Sequence, residues 1–434
     1  TVFMGQFEEA FLQVPAEVLI TSMKEHQRYF PVYDQAGQLK PYFVGVRNGD
    51  EHGLDKVVRG NEKVLRARLS DAQFFYEEDL KHSIDVYQEK LTRLVFQEKL
   101  GTVSEKVARV KKLTAQLAKM LQLDEQSTAH ALRAADICKF DLTTNMVIEF
   151  TELQGIIGEK YALAFGEDQA VAQAIREHYL PDKAQGALPQ STIGAMISVA
   201  DKLDSVVGFL SVGLTPTGSQ DPYGLRRQAT GLLRILLEKN WQMKLEDLFH
   251  MACDLYEIED RARLLQDLHE FFVLRVAYLF KERQIEQDVI DAVFAQEFGI
   301  LSLALKKAEI LSAKRHDESF KTVYEGLTRI LNLAHHEQAG EAVDPSLFET
   351  SSEQALYEKV QAIKQDYQEA LMQSQADVAL TKLSELATPI HDFFDHNMVM
   401  AEDQAIRQNR LALVNDIAEL IYDFADLTKI QWKK

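Results

Sequence analysis

The chain has 434 residues, which is more than one hydrophobic core usually organises, so a single small module is excluded and two to four domains are expected. With 46% hydrophobic and 26% charged residues, and no apolar stretch near bilayer length, it is neither disordered nor transmembrane in composition. A formal net charge of -19 argues against a partner held by the overall field, such as bulk nucleic acid or an anionic membrane, and confines any nucleic-acid contact to local basic surfaces.

Two short stretches near the start predict β-strands. Residues 28–33 and 42–46 are rich in aromatic and β-branched side chains, and the turn-forming residues 34–37 separate them. From about residue 60 onward the apolar residues recur at helical spacing. The fold is therefore predicted to be mainly α, with a small β-containing region at the N-terminus. Because the chain begins with Thr1 and its first residues already have the pattern of structured protein, we expect a fragment of a longer protein.

A basic helix is predicted after the strands. Asn61 is expected to cap it, and its apolar stripe comprises Leu65, Leu69, Ala72 and Tyr76. The surrounding window contains five basic residues and one acidic residue, Glu62. The basic residues are Lys56, Arg59, Lys63, Arg66 and Arg68. Two interpretations are open: contacts to nucleic-acid phosphates, and a solvated helix face with intrahelical ion pairs.

The middle region, from about residue 101 to 240, has helices separated by breaks at residues 180–182 and 214–219. Asp221 followed by proline is a favourable helix start. Arg226 and Arg227 follow directly, and Arg234 lies two turns later. A glycine-containing loop, a helix N-terminus and arginines together suit phosphate binding. The alternative is that Arg226 or Arg227 pairs with a carboxylate inside the domain, and the two candidate partners are Asp201 and Asp204.

The same region contains a histidine and an aspartate on separate helices, His178 and Asp201, which can bind a divalent metal and activate water. This pattern resembles the HD superfamily of metal-dependent phosphohydrolases, which implies a further histidine near residues 104–106 and a His-Asp pair near residues 134–139. Neither segment contains a histidine, and Lys139 places a positive charge where a cation is expected to bind. We therefore expect a degenerate HD-like site that holds no metal.

The last region is predicted to be helical apart from a loop at residues 338–345. Arg407 and Arg410 lead into a helix whose apolar stripe comprises Leu411, Val414, Ala418, Ile421 and Ala425. Arg407 is a candidate RNA contact or a partner of Asp403 or Asp395. The segments 393–394 and 398–400 are interpreted as core rather than as a base-stacking platform.

Other enzyme signatures are missing from the sequence. It contains no glycine-rich phosphate loop and no paired histidines of a zinc peptidase helix. Two cysteines, Cys138 and Cys253, cannot form a disulfide framework, and no targeting segment precedes them, so a reducing cytoplasm is expected. We expect three domains, at residues 1–100, 101–240 and 241–434.

Several segments carry a family resemblance. They are residues 23–30, 60–72, 152–155, 177–181, 200–204, 216–222, 393–400 and 409–413. In this order they resemble the β subunit of bacterial tetrameric (α2β2) glycyl-tRNA synthetase. The resemblance implies a degenerate HD-like helical domain and a C-terminal helical bundle similar to an anticodon-binding domain.

The resemblance also implies a function, that of the tRNA-recognition and assembly subunit of a cytoplasmic glycine-tRNA ligase. It places ATP and Mg²⁺ on the separate α subunit, so the expected partners are that subunit and tRNA(Gly), with no cofactor and no catalytic centre on this chain. The residues expected to contact tRNA are Arg226, Arg227, Arg234, Arg59, Lys63, Arg66, Arg407 and Arg410. Two other functions stay open: an active HD-type phosphohydrolase acting on a nucleotide or a tRNA end, and a purely structural helical scaffold.

Overall fold

The computed structural model describes residues 1–334 and 342–432. It divides into two compact units, and the division falls within one helix. The first unit comprises residues 1–235 and 255–257, and the second comprises residues 236–254 and 258–434. None of the helices in the described part of the chain combines the length and the apolar character that a bilayer crossing requires. The mainly α fold is confirmed, and the three-domain division stays a prediction.

A three-stranded antiparallel sheet opens the first unit, in the order β1-β3-β2. Its strands are β1 (Val2–Gln6), β2 (Phe30–Tyr33) and β3 (Leu39–Val46). The sequence predicted β2 and β3 and did not predict β1. Phe43 is fully buried on the inner face of the sheet, where it stacks on Tyr29 with ring centroids 4.5 Å apart. A second, two-stranded sheet, β4 (Val95–Gln97) with β5 (Gly101–Thr102), was also not predicted.

The basic helix begins earlier than expected, so the assignment of Asn61 as its N-cap is wrong. The helix spans Leu54–Asp79, and Gly53 precedes it with φ +64°. Asn61 lies within it, where its side chain donates to the Val57 carbonyl and accepts from the Tyr29 hydroxyl at 2.5 Å. The predicted stripe is confirmed, because Leu65, Leu69 and Ala72 are fully buried and Tyr76 is half-buried.

The helices of the first unit are α1 (Ala16–Thr21), α2 (Leu54–Asp79), α3 (Ile84–Leu91), α4 (Val103–Met120), α5 (Glu125–Ile137), α6 (Asn145–Glu149), α7 (Ile156–Ala164), α8 (Gln169–Glu177), α9 (Thr192–Ser211) and α10 (Leu225–Glu238), the last of which reaches the second unit. Helix α9 is apolar around nearly its whole circumference and is buried along most of its length. Helices α4, α5 and α8 pack against it. Charged side chains on α9 therefore need partners from these three neighbours.

The helices of the second unit are α11 (Leu245–Cys253), α12 (Arg261–Glu282), α13 (Gln287–Val293), α14 (Leu301–Lys314), α15 (Lys321–Ala334), α16 (Ser351–Met372), α17 (Ala376–Ser384), α18 (Ala387–His396) and α19 (Gln404–Phe424). Helix α15 packs against α18 and α19, and α16 packs against α17 and α18. The stripe predicted for α19, from Leu411 to Ala425, is buried as expected. Of the loop predicted at residues 338–345, residues 338–341 lie outside the described residues, and a short 3₁₀ turn begins at Pro345.

Candidate functional site

A buried charge cluster lies in the first unit where the HD-like site was predicted. Asp201 on α9 contacts two ammonium groups: Nζ of Lys106 on α4, 3.2 Å from its Oδ1, and Nζ of Lys139 just after α5, 3.1 Å from its Oδ2. All three side chains are buried. The positive charge predicted at Lys139 is therefore present beside Asp201, and Lys106 supplies a second one.

The pKa values in this cluster follow from its ion pairs. Burial alone raises the pKa of Asp201, but Lys106 and Lys139 outweigh it and hold that pKa far below its ordinary range. Burial lowers the pKa of Lys106, but Asp201 and Asp204 outweigh it, and the net direction is upward. Both partners are therefore ionised at neutral pH. Lys202, next to Asp201 in the chain, is different: burial brings its pKa down to about 7.

His178 is fully buried at the end of α8 beside this cluster. Its Nδ1 contacts the Ile175 carbonyl, and its Nε2 is buried without a hydrogen-bond partner. Burial and the charge of Lys139 lower its pKa well below the ordinary value, and Asp201 offsets them only in part. His178 is therefore a neutral imidazole beside the Lys139 ammonium.

These residues do not fit the metal centre that the HD-like pattern implies. Such a centre needs several neutral-imidazole and carboxylate ligands, and Lys106 and Lys139 occupy the two segments expected to supply the missing ones. No group of three or more His, Cys, Asp or Glu side chains suited to a metal ion occurs in the described ranges. The two ammonium groups balance the charge of Asp201 in place of a metal ion.

A second carboxylate extends the cluster and was not predicted from the sequence. Asp204 is fully buried and accepts hydrogen bonds from Lys106 Nζ at 3.0 Å, Arg109 Nε at 2.7 Å and the Tyr256 hydroxyl at 2.7 Å. The sequence spacing does indicate this arrangement. Lys106 and Arg109 are three residues apart on α4, and Asp201 and Asp204 are three residues apart on α9, so each pair lies on one face of its helix. Asp201 and Asp204 are thus ion-paired with Lys106, Lys139 and Arg109, and the predicted alternative of pairing with Arg226 or Arg227 is wrong.

The loop before α10 presents two arginines of the predicted set. Arg227 is exposed and Arg226 is half-buried, and neither guanidinium has a hydrogen bond or an ion pair within the described ranges. Gly224 has φ +63°, a left-handed backbone conformation that favours glycine. Tyr223 is 44% exposed. The loop thus presents an aromatic ring and two unpaired guanidinium groups.

One part of the phosphate site expected at this loop is already occupied. The Asp221 carboxylate accepts the backbone N–H groups of Leu225 at 2.8 Å and Arg226 at 3.0 Å. Asp221 thus accepts the first amides of α10 as predicted, but the helix begins at Leu225 and not at Pro222. These amides are therefore not available to an anion. Any phosphate contact here therefore depends on the arginine side chains. Arg234, two turns on, is half-buried and donates to the Ala184 carbonyl at 2.9 Å.

The basic window on α2 is largely paired. Arg59 contacts Asp55 one turn earlier at 2.6 Å, Arg66 contacts Glu8 at 2.6 Å, and Arg68 lies 3.7 Å from Glu149. Lys56 and Lys63 are exposed, and no ion pair involves them in the part of the chain described. The intrahelical pairing that was one of the two open interpretations is present for Arg59, and the pairs of Arg66 and Arg68 reach other elements. Contact of Arg59, Lys63 and Arg66 with tRNA stays a prediction.

Two family models match the chain. One, described as the glycyl-tRNA synthetase beta subunit, matches residues 1–295. The chain belongs to the glycyl-tRNA synthetase beta subunit family. The second model, described as a DALR anticodon binding domain, matches residues 323–433. The first match contains the buried charge cluster and the α10 loop, and the second contains α16 to α19 and most of α15.

Curated members of the glycyl-tRNA synthetase beta subunit family are similar over the whole chain. The glycine–tRNA ligase beta subunit of Oceanobacillus iheyensis is 53% identical over 437 residues, which cover 100% of this chain and 63% of that protein. The corresponding subunit of Bacillus subtilis is 46% identical, covering 99% of this chain and 62% of the relative. That of Listeria monocytogenes serotype 4a is 44% identical with 100% and 63% coverage. The chain therefore spans somewhat less than two thirds of the length of these relatives.

Within the anticodon-domain match of this beta-subunit family member, Arg410 is not a surface residue, which corrects its prediction as a tRNA contact. It is buried and donates to Glu353 at 2.8 Å, to Glu349 at 3.0 Å and to the Met398 carbonyl at 2.9 Å. Its guanidinium joins α19 to the start of α16 and to the end of α18. The buried guanidinium of Arg410 therefore has a structural role, since it links these helices.

The predictions for Arg407 and for the neighbouring apolar residues agree with the structure only in part. Arg407 pairs with neither Asp403 nor Asp395 in the described residues, and its Nε is buried without a hydrogen-bond partner. The interpretation of residues 393–394 and 398–400 as core is right for Phe393 and Val399, which are buried. It is wrong for the two methionines on either side of Val399, which are exposed.

Proposed function

We propose that this chain provides tRNA recognition and subunit assembly for a glycine-tRNA ligase. It holds tRNA(Gly) in position for ATP-dependent glycylation by a separate alpha subunit, within a cytoplasmic α2β2 heterotetramer. The observation that carries this proposal is the pair of matches, a glycyl-tRNA synthetase beta subunit followed by an anticodon binding domain. Relatives named glycine–tRNA ligase beta subunit support it, and the word beta implies a partner subunit.

The chemistry of aminoacylation is assigned to the alpha subunit in this proposal, together with ATP and Mg²⁺. The carboxylates of the buried cluster are already neutralised by lysine and arginine, which leaves them no role as metal ligands or as general bases. The contribution of this chain is binding energy and orientation, because holding the tRNA end in reach of an activated amino acid lowers the entropic part of the barrier.

The α10 loop is the proposed phosphate contact in the first unit. Arg226 and Arg227 are unpaired among the described residues, whereas Arg59 and Arg66 have carboxylate partners. In a protein of net charge -19, cations without partners mark where a polyanion is tolerated. Tyr223 offers a face on which an unstacked base can lie.

Filter binding of tRNA(Gly) at several salt concentrations tests this assignment. The double variant Arg226→Ala with Arg227→Ala is expected to bind more weakly and to lower the slope of log K against log salt by up to about 0.9 for each lost phosphate contact. Arg263→Ala is the matched control, since this exposed arginine lies outside the predicted contacts and its guanidinium is already paired with Asp267, and it is expected to change the slope little. Unchanged binding of the double variant removes both arginines from the site.

A complementary experiment separates tRNA recognition from a purely structural role. The alpha subunit is assayed for tRNA(Gly) affinity and glycylation alone, with this chain, and with a full-length beta subunit. Recognition predicts that beta chains raise the affinity for tRNA. If the alpha subunit alone binds tRNA as tightly as the complex does, the chain is a scaffold.

A further inference from the structure

An exposed stack of an arginine on a phenylalanine lies in the second unit. The guanidinium carbon of Arg329, on α15, is 4.1 Å from the centre of the Phe394 ring, on α18. Arg329 is exposed and Phe394 is half-buried, whereas the preceding Phe393 is fully buried and holds α18 against its neighbours. The guanidinium of Arg329 therefore lies on a half-buried ring and has its outer face open to solvent.

The close packing of α15 on α18 fixes this arrangement. Gly326 lies one turn before Arg329, and a Cβ built at that glycine would lie 3.3 Å from Nε2 of His391. The same histidine nitrogen lies 3.1 Å from the Thr322 carbonyl. The packing of α15 on α18, with its close approach at Gly326 and the hydrogen bond between His391 and Thr322, therefore places the ring of Phe394 beside the guanidinium.

The guanidinium of Arg329 is also unpaired. It makes no hydrogen bond and no ion pair within the described ranges, although Glu325 lies one turn earlier on α15. The other arginines of the anticodon-domain match differ: Arg410 is buried between two carboxylates, and Arg407 has its Nε buried. Arg329 is thus the exposed arginine of this match, with a planar face and N–H donors free.

The surface around α18 suits an adaptable contact. Met398 and Met400, which follow the helix, are 74% and 42% exposed. Methionine is flexible and polarisable, and it packs on irregular apolar or aromatic partners. A planar cation on an aromatic ring, with soft apolar side chains just beyond the end of the same helix, is chemistry that recognises an unpaired nucleobase rather than a regular duplex.

We propose that an unpaired base of the tRNA anticodon loop stacks on the outer face of the Arg329 guanidinium, with Phe394 supporting it from below. The inference rests on the function proposed above and adds the residues that hold the loop. Guanidinium groups stack on planar rings and donate hydrogen bonds at their edges, which a lysine ammonium cannot do. The contact therefore depends on the planar shape of the side chain as well as on its charge.

The test measures binding of this chain to the tRNA(Gly) anticodon stem–loop and to the same stem closed by a short structured loop whose bases are stacked. We expect Arg329→Ala to weaken binding of the anticodon stem–loop by about tenfold, the order expected for one stacked base. Arg329→Lys is expected to lose nearly as much, and Phe394→Leu to lose part of it. Lys364→Ala, which removes an exposed cation on α16, is the matched control and is expected to stay within about twofold.

Three results overturn the proposal: wild-type affinity of Arg329→Ala, full rescue by Arg329→Lys, and an equal loss on the structured-loop RNA, which indicates a backbone contact only. Tryptophan fluorescence shows whether Phe394→Leu is folded. If this variant is unfolded, the test depends on Arg329→Ala and Arg329→Lys. If tRNA binding depends on Arg226 and Arg227 but not on Arg329, only this inference fails. If the wild-type chain binds neither tRNA nor the stem–loop, the proposed function fails with it.

Discussion

Replacing Arg410 by methionine tests whether this cation is structural. The change removes a side chain that donates to Glu353, Glu349 and the Met398 carbonyl. The Glu353 side chain is only 1% exposed, so its carboxylate loses its counter-ion inside the protein. Removing one partner of a buried ion pair costs about 3–5 kcal/mol. Glu353 keeps the N–H groups of Glu349 and Thr350, which places the expected cost near the lower figure, about 3 kcal/mol.

Urea unfolding followed by tryptophan fluorescence measures this loss. The sequence has 2 tryptophans, Trp241 and Trp432, and both belong to the second unit, so the signal reports on that unit alone. With a urea dependence of about 2 kcal/mol per molar, the midpoint is expected to fall by about 1.5 M. Lys364→Met, on the exposed side of the same α16, is expected to change stability by less than about 0.5 kcal/mol.

The pH dependence of Arg410→Met gives a second readout. Burial raises the pKa of Glu353, but the hydrogen bonds from Arg410 and from two backbone N–H groups outweigh it, and the pKa is lowered. A lowered pKa contributes stability above the unfolded value, and that stability is lost as the pH falls through the folded value. The variant is expected to lose less stability on acidification than the wild type. An unchanged midpoint, or a loss of tRNA affinity in a variant of wild-type stability, refutes the structural assignment.

Three further predictions concern the first unit. Lys139→Met leaves Asp201 with Lys106 alone and is expected to cost about 3 kcal/mol of stability, measured as faster hydrogen exchange along α9. Lys111→Met, which breaks the half-exposed pair with Asp136, is the control and is expected to cost less than about 1 kcal/mol. Equal exchange rates in the two variants contradict the argument that the Lys139–Asp201 pair is stabilising because it is buried. Burial raises the pKa of Asp141 to about 6, so the folded state binds a proton there more readily and the contribution of this carboxyl to stability is expected to rise as the pH falls from about 7 to about 4. Asp141→Asn should flatten that rise in urea unfolding followed by circular dichroism, and an unaltered pH profile excludes this carboxyl as its source. EDTA, Mn²⁺ and Mg²⁺ are expected to leave the melting temperature of the first unit unchanged, since a metal that bound only the folded state would raise it.

The helices whose buried faces were predicted correctly are long, and apolar residues recur in them at helical spacing over several turns. The stripe of α2 at Leu65 and Leu69 and the stripe of α19 at Leu411 and Val414 are buried because one apolar face of each helix must be covered. Strand β1 was not predicted because it is only five residues long and its pairing partner, β3, lies more than 30 residues away. The N-terminus of α2 was misplaced because Gly60 and Asn61 look like a helix start, and tertiary contacts with Tyr29 override that preference.

Some residues of the candidate site were predictable from the sequence, and others were not. The charge of Lys139 beside Asp201 was predictable from a pattern with known spacing, because the expected ligands were missing from the sequence. The roles of Lys106 and Arg109 were not predictable, since a lysine or an arginine on an amphipathic helix is usually solvated and only the packing of α4 on α9 turns these two inward. Arg410 was misassigned for the converse reason: its partners Glu349 and Glu353 lie about 60 residues earlier in the chain, and no local pattern reveals them.

The lysines of the buried cluster have one more consequence. A cation carried on a side chain is made with the protein, so the charges of Asp201 and Asp204 are balanced without an ion that must be acquired after synthesis or that a chelator can remove. The assembly of this charge cluster is then independent of how much metal the cell contains.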